Sequence, residues 1–182
     1  RASRYSNVLA GGDALPDFDS HVPILSLPGV FGTTLKNMPR DVPYVAADEQ
    51  LVSKWRTRLA GDNRFKVGIS WQGNRGYSFD RDRSIALVHF GRLADVDGVR
   101  LYSLQKYDGT EQLAELNGRF EVHDFGSELD QASGAFMDTA AVMKNLDLVV
   151  ASDSSPAHLA GALGVPLWLG IPKMPDWRWF LD

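Results

Sequence analysis

Two helix–strand pairs follow one another in DTAAVMKNLDLVVASD (138–153) and the adjoining SSPAHLAGALGVPLWLGIP (154–172). The apolar periodicity of this stretch predicts helices at 138–146 and 155–164, and strands at 147–152 and 165–171. The strand sequences LVVAS and PLWLG are apolar on both faces, which is typical of central strands covered by helices. This stretch therefore predicts an α/β fold built on a parallel sheet.

The same alternation of strands and helices extends upstream. The pattern of apolar residues predicts strands at 65–71, 99–105 and 120–125, and helices at 85–96 and 110–118. Strands that alternate with helices through short turns imply a parallel sheet with right-handed crossovers. We therefore expect one sheet with helices on both faces over the C-terminal two-thirds of the chain.

The first 46 residues predict little regular structure. Proline is excluded from helix interiors and central strands, and five prolines interrupt this region: Pro16, Pro23, Pro28, Pro39 and Pro43. Only VPILSLPG, residues 22–29, predicts one short strand. We expect residues 1–46 to be the tail of a preceding domain. Because the sequence begins with Arg1 and stops at DWRWFLD, we expect it to be an excerpt of a longer protein.

A helix is predicted over residues 48–60, between the irregular region and the alternating one. Asp48 is its predicted N-cap, and its apolar face carries Leu51, Trp55 and Leu59 at a spacing of four residues. Acidic residues near its start and basic residues near its end complement the helix dipole.

Composition and charge argue against several classes of protein. The 182 residues are 44% hydrophobic and 23% charged, with a net charge of −4. These are ordinary globular values, and the acidic balance argues against a general nucleic-acid binder. The apolar runs are shorter than the roughly 18 residues that a membrane span needs. The absence of cysteine excludes disulfides and thiolate metal sites and fits a cytoplasmic location.

The turn at residues 152–158, Ser-Asp-Ser-Ser-Pro-Ala-His, directly follows a predicted central strand. In such sheets ligands bind beyond the carboxyl ends of the strands. Pro156 suits the first helical position, which makes Ser155 the predicted N-cap. The amides of Ala157 and His158 would then point out of the helix without partners, and a phosphate is the expected ligand.

Two hydroxyls and one carboxylate complete this turn. Ser154 and Ser155 add hydrogen-bond donors for a phosphate, whereas Asp153 would repel one. We therefore expect Asp153 to hold sugar hydroxyls or to orient the turn. The alternative interpretation is plain capping of the helix with no ligand.

The polar loop SWQGNRGYSFDRDRSI, residues 70–85, leaves the first strand of the sheet. Arginine suits bidentate contacts with phosphate, and donors for a diphosphate or sugar come from Asn74, Arg75, Arg81 and Arg83. Asp80 and Asp82 form an Asp-x-Asp pair of a kind that binds divalent cations. Arg81 and Arg83 oppose a cation there, so no metal is expected. The alternative is a solvated surface loop.

Two more polar pairs face the same edge of the predicted sheet. Gln105 is expected to read the edge of a nucleobase and Lys106 to neutralise a phosphate, with a plain surface turn as the alternative. Asp138 and Thr139 open a helix at the same rim. Asp138 is its predicted N-cap, and simple capping is the favoured interpretation of this pair.

The remaining polar and aromatic constellations carry weaker signals. Ser154 or Ser155 with His158 does not form a convincing nucleophile pair, because no G-x-S-x-G elbow surrounds them. The four histidines show no metal-ligand spacing. Trp177 and Trp179 near the end are candidates for stacking on a sugar or base, but packing against neighbouring sequence is favoured.

The stretch at 138–172 resembles the C-terminal half of heptosyltransferase-like, family-nine glycosyltransferases. Those enzymes carry an Asp-Ser/Thr-Gly-x-x-His-Leu-Ala segment where this chain has Asp-Ser-Ser-Pro-Ala-His-Leu-Ala, residues 153–160. The whole chain is similar to a bacterial branch that joins such a domain to tetratricopeptide repeats. The pieces that carry this likeness are LPDFDSHVPILSLPGVFGTTL (15–35), KVGISWQGN (66–74), RSIAL (83–87), YSLQK (102–106) and PDWRWFL (175–181).

The resemblance implies half of a GT-B architecture, in which two Rossmann-like domains face each other across a cleft. Residues 1–46 would be the C-terminal remnant of the acceptor-side domain. Residues 47–64 would be the linker helix. Residues 65–182 would be the Rossmann-like domain that binds the nucleotide-sugar donor, truncated at its C-terminus.

The resemblance also implies roles for single residues. The turn from Asp153 to His158 would hold the donor's diphosphate and sugar. Arg83 matches a basic residue of the family, more often Lys, that neutralises the leaving diphosphate, whereas Ser155 replaces the usual Gly. Near the nucleoside the resemblance places Gln105, Asp138 and Thr139.

The implied function is binding of the donor in a glycosyltransferase that moves a sugar from a nucleoside-diphosphate sugar to a hydroxyl of a glycan or protein. Transfer would be inverting and metal-independent, with no cofactor and with the general base outside this sequence. The excerpt alone would turn over little or nothing. The alternative is a non-catalytic module of the same fold that serves helical repeats as a scaffold or sensor. A dinucleotide-binding oxidoreductase is disfavoured because no G-x-G-x-x-G follows the first strand.

Overall fold

The computed structural model of the chain describes residues 8–9, 11–176 and 179. Its centre is a five-stranded sheet in which every neighbouring pair of strands is parallel, in the order β3-β2-β1-β4-β5. The strands are β1 (Phe65–Ser70), β2 (Val99–Ser103), β3 (Val122–His123), β4 (Leu148–Ser152) and β5 (Leu167–Gly170). The predicted Rossmann-like α/β class is confirmed.

Seven short to medium helices surround this sheet in the part of the chain that the structure describes. They are α1 (Leu27–Val30), α2 (Glu49–Leu59), α3 (Asp80–Arg83), α4 (Gly91–Ala94), α5 (Gln112–Glu115), α6 (Met137–Met143) and α7 (Ser155–Ala162). Single 3₁₀ turns lie at Ile24–Ser26, Leu87–Phe90 and Gly126–Glu128.

Two hydrophobic clusters cover the two faces of the sheet. One cluster packs α2, α6 and α7 against Val149 and Ala151 of β4. The other packs the 3₁₀ turn at Leu87–Phe90 against Leu148 of β4 and Ile69 of β1. Successive residues of a strand point to opposite faces, which explains why β4 is apolar along most of its length.

Helix α2 begins where its cap was predicted. The Asp48 carboxylate accepts hydrogen bonds from the amides of Gln50 at 2.9 Å and Leu51 at 3.0 Å, which satisfies two of the free donors at the start of the helix. Trp55 and Leu59 of its apolar face are buried. The helix lies against α6, at the same face of the sheet as α7.

Several predicted elements are wrong or shorter than predicted. The strand at 22–29 is instead a 3₁₀ turn followed by α1, because Pro28 suits the first turn of a helix and cannot donate to a sheet. The helix at 85–96 divides at Gly91 into a 3₁₀ turn and α4. The strand at 120–125 keeps only two paired residues, in β3.

Among the described residues, no helix is both long and apolar enough to cross a membrane. The longest, α2, has 11 residues.

Candidate functional site

A cavity of about 650 Å³ opens at the carboxyl edge of the sheet. It lies where the loops that follow β1, β2 and β4 meet the start of α6. Its polar and aromatic lining includes Gln72, Asn74, Arg83, Gln105, Lys106, Tyr107, Asp108, Asp130, Phe136, Thr139, Ser154 and Ser155. Of the ten residues predicted to bind the donor, seven line this cavity.

The turn after β4 differs from the prediction in its cap. The N-cap of α7 is Ser154, in an extended conformation, and α7 begins at Ser155. The carbonyl of Ser154 therefore accepts the amides of Ala157 at 3.0 Å and His158 at 3.4 Å, so the prediction that these two amides lack partners is wrong. The Ser154 hydroxyl donates to the carbonyl of Ser152 at 3.1 Å.

The hydrogen-bond donors of this turn that face the cavity belong to Ser155, which precedes the predicted pair of amides in the sequence. Ser155 is exposed and lines the cavity. No hydrogen bond joins its amide to any residue that the structure describes. The first turn of α7 therefore presents the amide and hydroxyl of Ser155 to the cavity.

Arg83 is the last residue of α3 and lines the cavity as a cation, as Lys106 does. Its guanidinium lies over the Tyr77 ring at 4.6 Å, and its Nε is 3.4 Å from Oδ1 of the buried Asp80. A Cβ atom at Gly73 would lie 2.5 Å from Arg83 Nη2. The absence of a side chain at Gly73 therefore leaves the space that the guanidinium occupies.

A second cavity of about 770 Å³ lies on the other side of Arg83. Its lining includes Asp153 and His158. The Asp153 carboxylate oxygen is 3.8 Å from His158 Nε2, and the imidazole stacks on Trp179 with ring centroids 4.6 Å apart. Trp179 therefore contacts protein, while Trp177 lies outside the described residues.

The predicted turn thus faces two spaces. Its serines line the first cavity, its aspartate and histidine line the second, and Arg83 borders both. Asp153 is not among the residues that line the first cavity, so a phosphate bound beside Ser155 would not have to share that space with its carboxylate.

Gln105 does not have the role predicted for it. Its Oε1 accepts from the Trp71 amide at 2.9 Å and the Gln72 amide at 3.1 Å, and from the Ser70 hydroxyl. Its Nε2 donates to the carbonyls of Gln72 and Asp108, each at 2.8 Å. Both amide hydrogens are used, so the side chain ties the loop after β1 to the loop after β2 and has no donor left for a nucleobase.

Lys106 is also held by the protein itself. Its Nζ donates to the Leu129 carbonyl at 2.7 Å and lies 4.0 Å from Asp130 Oδ2. This bond tethers the loop after β2 to the segment before α6 and uses one of the three donors of the ammonium. Lys106 also lines the cavity, so its contact with a phosphate stays a prediction.

Asp138 is not an N-cap. The N-cap of α6 is Phe136, and Asp138 lies buried in the first turn. Its carboxylate accepts from Trp55 Nε1 at 2.7 Å, from the Asp130 amide at 3.1 Å and from the Ser133 hydroxyl. Burial raises the pKa of Asp138, but these hydrogen bonds together lower it by more, and the net pKa lies below its ordinary value.

Thr139 lines the cavity, but its polar groups are occupied. Its amide donates to Asp130 Oδ1 at 2.9 Å and its hydroxyl to Asp130 Oδ2 at 2.5 Å. The pair Asp138–Thr139 therefore joins α6 to α2 and to the segment around Asp130, where the prediction had placed a nucleoside contact.

The predicted hydrogen-bond donors of the loop after β1 do not all line the cavity. Asn74 lines the cavity, and its Oδ1 accepts the Gly76 amide at 2.7 Å. Arg75 pairs with Glu111, away from the cavity. Arg81 is exposed outside it. Among the described residues, no group of three or more His, Asp or Glu side chains is arranged to hold a metal ion.

Two aromatic residues that line the cavity, Tyr107 and Phe136, were not predicted from the sequence. Both have a left-handed backbone, with φ of +60° and +63°. This conformation is uncommon for residues other than Gly, Asn and Asp, and no pattern in the sequence indicates it. The loop YSLQK at 102–106 ends one residue before Tyr107, so only that position adjoined a predicted site.

Comparisons with known proteins support the fold. No family model matches the sequence. Protein FlbA of Caulobacter vibrioides is 26% identical over 144 residues, which cover 75% of this chain and 23% of FlbA. The structure of ADP-heptose LPS heptosyltransferase II of E. coli matches with a TM-score of 0.54 at 13% identity, over 74% of this chain and 41% of that enzyme.

A second E. coli enzyme, heptosyltransferase WaaC with ADP-2-deoxy-2-fluoro heptose, matches with a TM-score of 0.48 at 20% identity, over 78% of this chain and 43% of that one. The likeness to heptosyltransferase II is the one that supports the fold. Over the matched residues the chain shares the fold of that enzyme, and it spans less than half of the enzyme's length.

Proposed function

We propose that this chain is the donor-binding portion of a glycosyltransferase that uses a nucleoside-diphosphate sugar. One observation carries the proposal: Arg83 and the open start of α7 border a single cavity of about 650 Å³ at the carboxyl edge of a heptosyltransferase-like sheet. Ligands of open parallel sheets bind at this edge. A diphosphate suits a guanidinium together with the amide and hydroxyl of Ser155.

The proposed reaction makes one C–O bond and breaks another. An acceptor hydroxyl of a glycan or protein attacks the anomeric carbon, and the bond to the diphosphate breaks with its electron pair leaving on the diphosphate oxygen. The acceptor proton passes to a general base, which we expect outside this chain and which contributes about 10²–10⁴-fold to such reactions. Backside attack inverts the anomeric carbon.

The chain's own part in this step is to stabilise the leaving diphosphate. Negative charge grows on the diphosphate as the bond breaks, so donors that are already in place lower the barrier. Arg83 is held in place by Tyr77 and Asp80, and the first turn of α7 adds its amide. We propose that these groups neutralise the leaving group without a metal ion or cofactor.

The second cavity is the proposed place of the transferred sugar. Asp153 and His158 line it beside Arg83. A carboxylate accepts hydrogen bonds from sugar hydroxyls, and an imidazole donates or accepts one. The sugar would then lie on the far side of Arg83 from the nucleoside.

The proposed architecture follows the resemblance. Residues 1–46 end an acceptor-side domain, 47–64 form the linker and 65–182 bind the donor, in a cytoplasmic protein that also carries tetratricopeptide repeats. Because the general base is expected outside residues 1–182, we expect these residues alone to transfer little sugar or none.

Calorimetric titration of nucleoside diphosphates into the full-length protein tests the proposal. Hydrogen bonds to charged groups contribute about 1.5–3 kcal/mol, so Arg83→Ala is expected to weaken ADP, GDP or UDP binding at least about tenfold. Arg81→Ala is the matched control, because it removes the same charge from the same helix outside the cavity and should leave affinity unchanged. Absence of any nucleotide binding would instead support the non-catalytic scaffold.

A further inference from the structure

Three residues other than glycine that line the first cavity have a left-handed backbone. They are Tyr107, Asp130 and Phe136, with φ between +60° and +63°. Strained backbone of this kind persists only where the surrounding structure imposes it, and it gathers at ligand sites. Tyr107 and Phe136 are also exposed, at 84% and 44% of their surface, so their rings are not there to fill a core.

Hydrogen bonds hold the backbone at both aromatic positions. The Tyr107 carbonyl accepts from the Thr110 hydroxyl at 2.7 Å and from its amide at 3.3 Å. The Phe136 carbonyl accepts the Ala140 amide at 2.9 Å and starts α6. Lys106 Nζ, itself bound to the Leu129 carbonyl, lies 5.4 Å from the centre of the Tyr107 ring. The two rings thus extend from fixed positions of the backbone.

The polar side chains beside these rings form hydrogen bonds within the protein. Both amide hydrogens of Gln105 go to backbone carbonyls. Both carboxylate oxygens of Asp130 accept from Thr139. The ammonium of Lys106 gives one of its three donors to the Leu129 carbonyl. Besides the remaining donors of Lys106, what this part of the cavity offers a ligand is therefore aromatic surface.

We propose that Tyr107 and Phe136 form the platform on which the nucleobase of the donor stacks. This inference rests on the proposed function, because it names the base end of a nucleoside diphosphate whose phosphates lie beside Arg83. Stacking on aromatic side chains tolerates every base and strengthens with the area of the ring system. The site therefore selects the size of the base and not its hydrogen-bonding edge. ADP and GDP should bind alike, and UDP more weakly.

Glycine substitutions test the platform in the full-length protein. Tyr107→Gly and Phe136→Gly remove the rings while keeping a residue that adopts positive φ freely, so the backbone is not forced to change. Stacking contributes about 5- to 150-fold per base. Each variant is expected to weaken ADP binding at least about fivefold and to leave the affinity for inorganic pyrophosphate unchanged. Tyr107→Phe, which keeps the ring, should bind ADP more tightly than Tyr107→Gly.

A matched control separates the loss of a ring from the gain of a glycine. Asn117 also has a positive φ, of +48°, and does not line the cavity, so Asn117→Gly should bind ADP as the parent does. ADP affinity unchanged in both aromatic variants would overturn the platform, as would a difference of more than tenfold between ADP and GDP. If the parent binds neither pyrophosphate nor any nucleotide, the proposed function fails first and the platform fails with it.

Discussion

The two sides of the first cavity are both polar in sequence and differ in what their polar groups do. On the saturated side, Gln105 and Asp130 line the cavity and are buried and bonded to the protein. Asp138 lies behind them, buried and bonded to the Asp130 amide and to Trp55. On the open side, formed by Asn74, Arg83 and Ser155, the side chains are at least partly exposed and line the cavity. The polar side chains of the first side act as a scaffold, and those of the second side are the polar groups available to a ligand.

The largest change in stability is expected when the hydrogen bonds of the saturated side are removed. Gln105→Met keeps the size of the side chain but leaves the amides of Trp71 and Gln72 and two carbonyls without partners. An unsatisfied buried group costs about 1–3 kcal/mol, so we expect the free energy of unfolding, measured by urea denaturation, to fall by about 4 kcal/mol. Gln50→Met on the exposed face of α2 is the control and should change it by less than about 0.5 kcal/mol.

A smaller effect on the same side depends on pH. Asp138→Asn replaces a carboxylate that accepts three hydrogen bonds. We expect the free energy of unfolding to fall by about 2 kcal/mol at pH 7. Because the pKa of Asp138 is lowered in the folded protein, its contribution is fully present above the ordinary value of 3.8 and is lost as the pH falls through the folded pKa. The difference between variant and parent should therefore shrink in urea titrations below that pH.

Asp97→Asn is the control for this prediction, since Asp97 is exposed. Its free energy of unfolding should follow that of the parent at every pH. A loss in Asp138→Asn that stays constant from pH 7 to the acid limit would show that the charge of Asp138 contributes nothing to stability.

The smallest change in affinity is expected when Arg83 on the open side is displaced and its charge is kept. In Gly73→Ala the new Cβ would approach the ends of the Arg83 and Asp80 side chains at 2.5 Å. Both side-chain ends can shift, so stability should change little while the guanidinium is displaced. We expect diphosphate affinity to fall about threefold, less than in Arg83→Ala. Gly61→Ala, which meets nothing within 4 Å, should bind as the parent does, and equal binding by the two alanine variants would count against the assignment of Arg83.

Local sequence was sufficient to predict most of the sheet. The bounds of β1, β2, β4 and β5 lie within two residues of those predicted, because each strand is rich in apolar residues and lies between turn residues. The Asp48 cap was predictable for a similar reason, since its partners are two and three residues away. The length of β3 was not predictable, because β3 pairs with β2 at only two residues and the composition of 120–125 does not show where that pairing ends.

The site was less predictable because its hydrogen bonds are long-range. The partners of Gln105 around β1 lie 33 to 35 residues away in the sequence, and Asp138 bonds to Trp55, 83 residues away. A polar residue at a strand end looks the same in sequence whether such a partner exists or not. The cap of α7 was misplaced by one residue for a different reason: proline is accommodated at either of the first two helical positions.

A crystal structure of the full-length protein with ADP would show where the nucleotide binds. We expect the diphosphate beside the Arg83 guanidinium and the Ser155 amide, with the adenine against Tyr107 and Phe136. A nucleotide bound elsewhere, with Arg83 still paired only to Asp80 and Tyr77, would contradict this expectation.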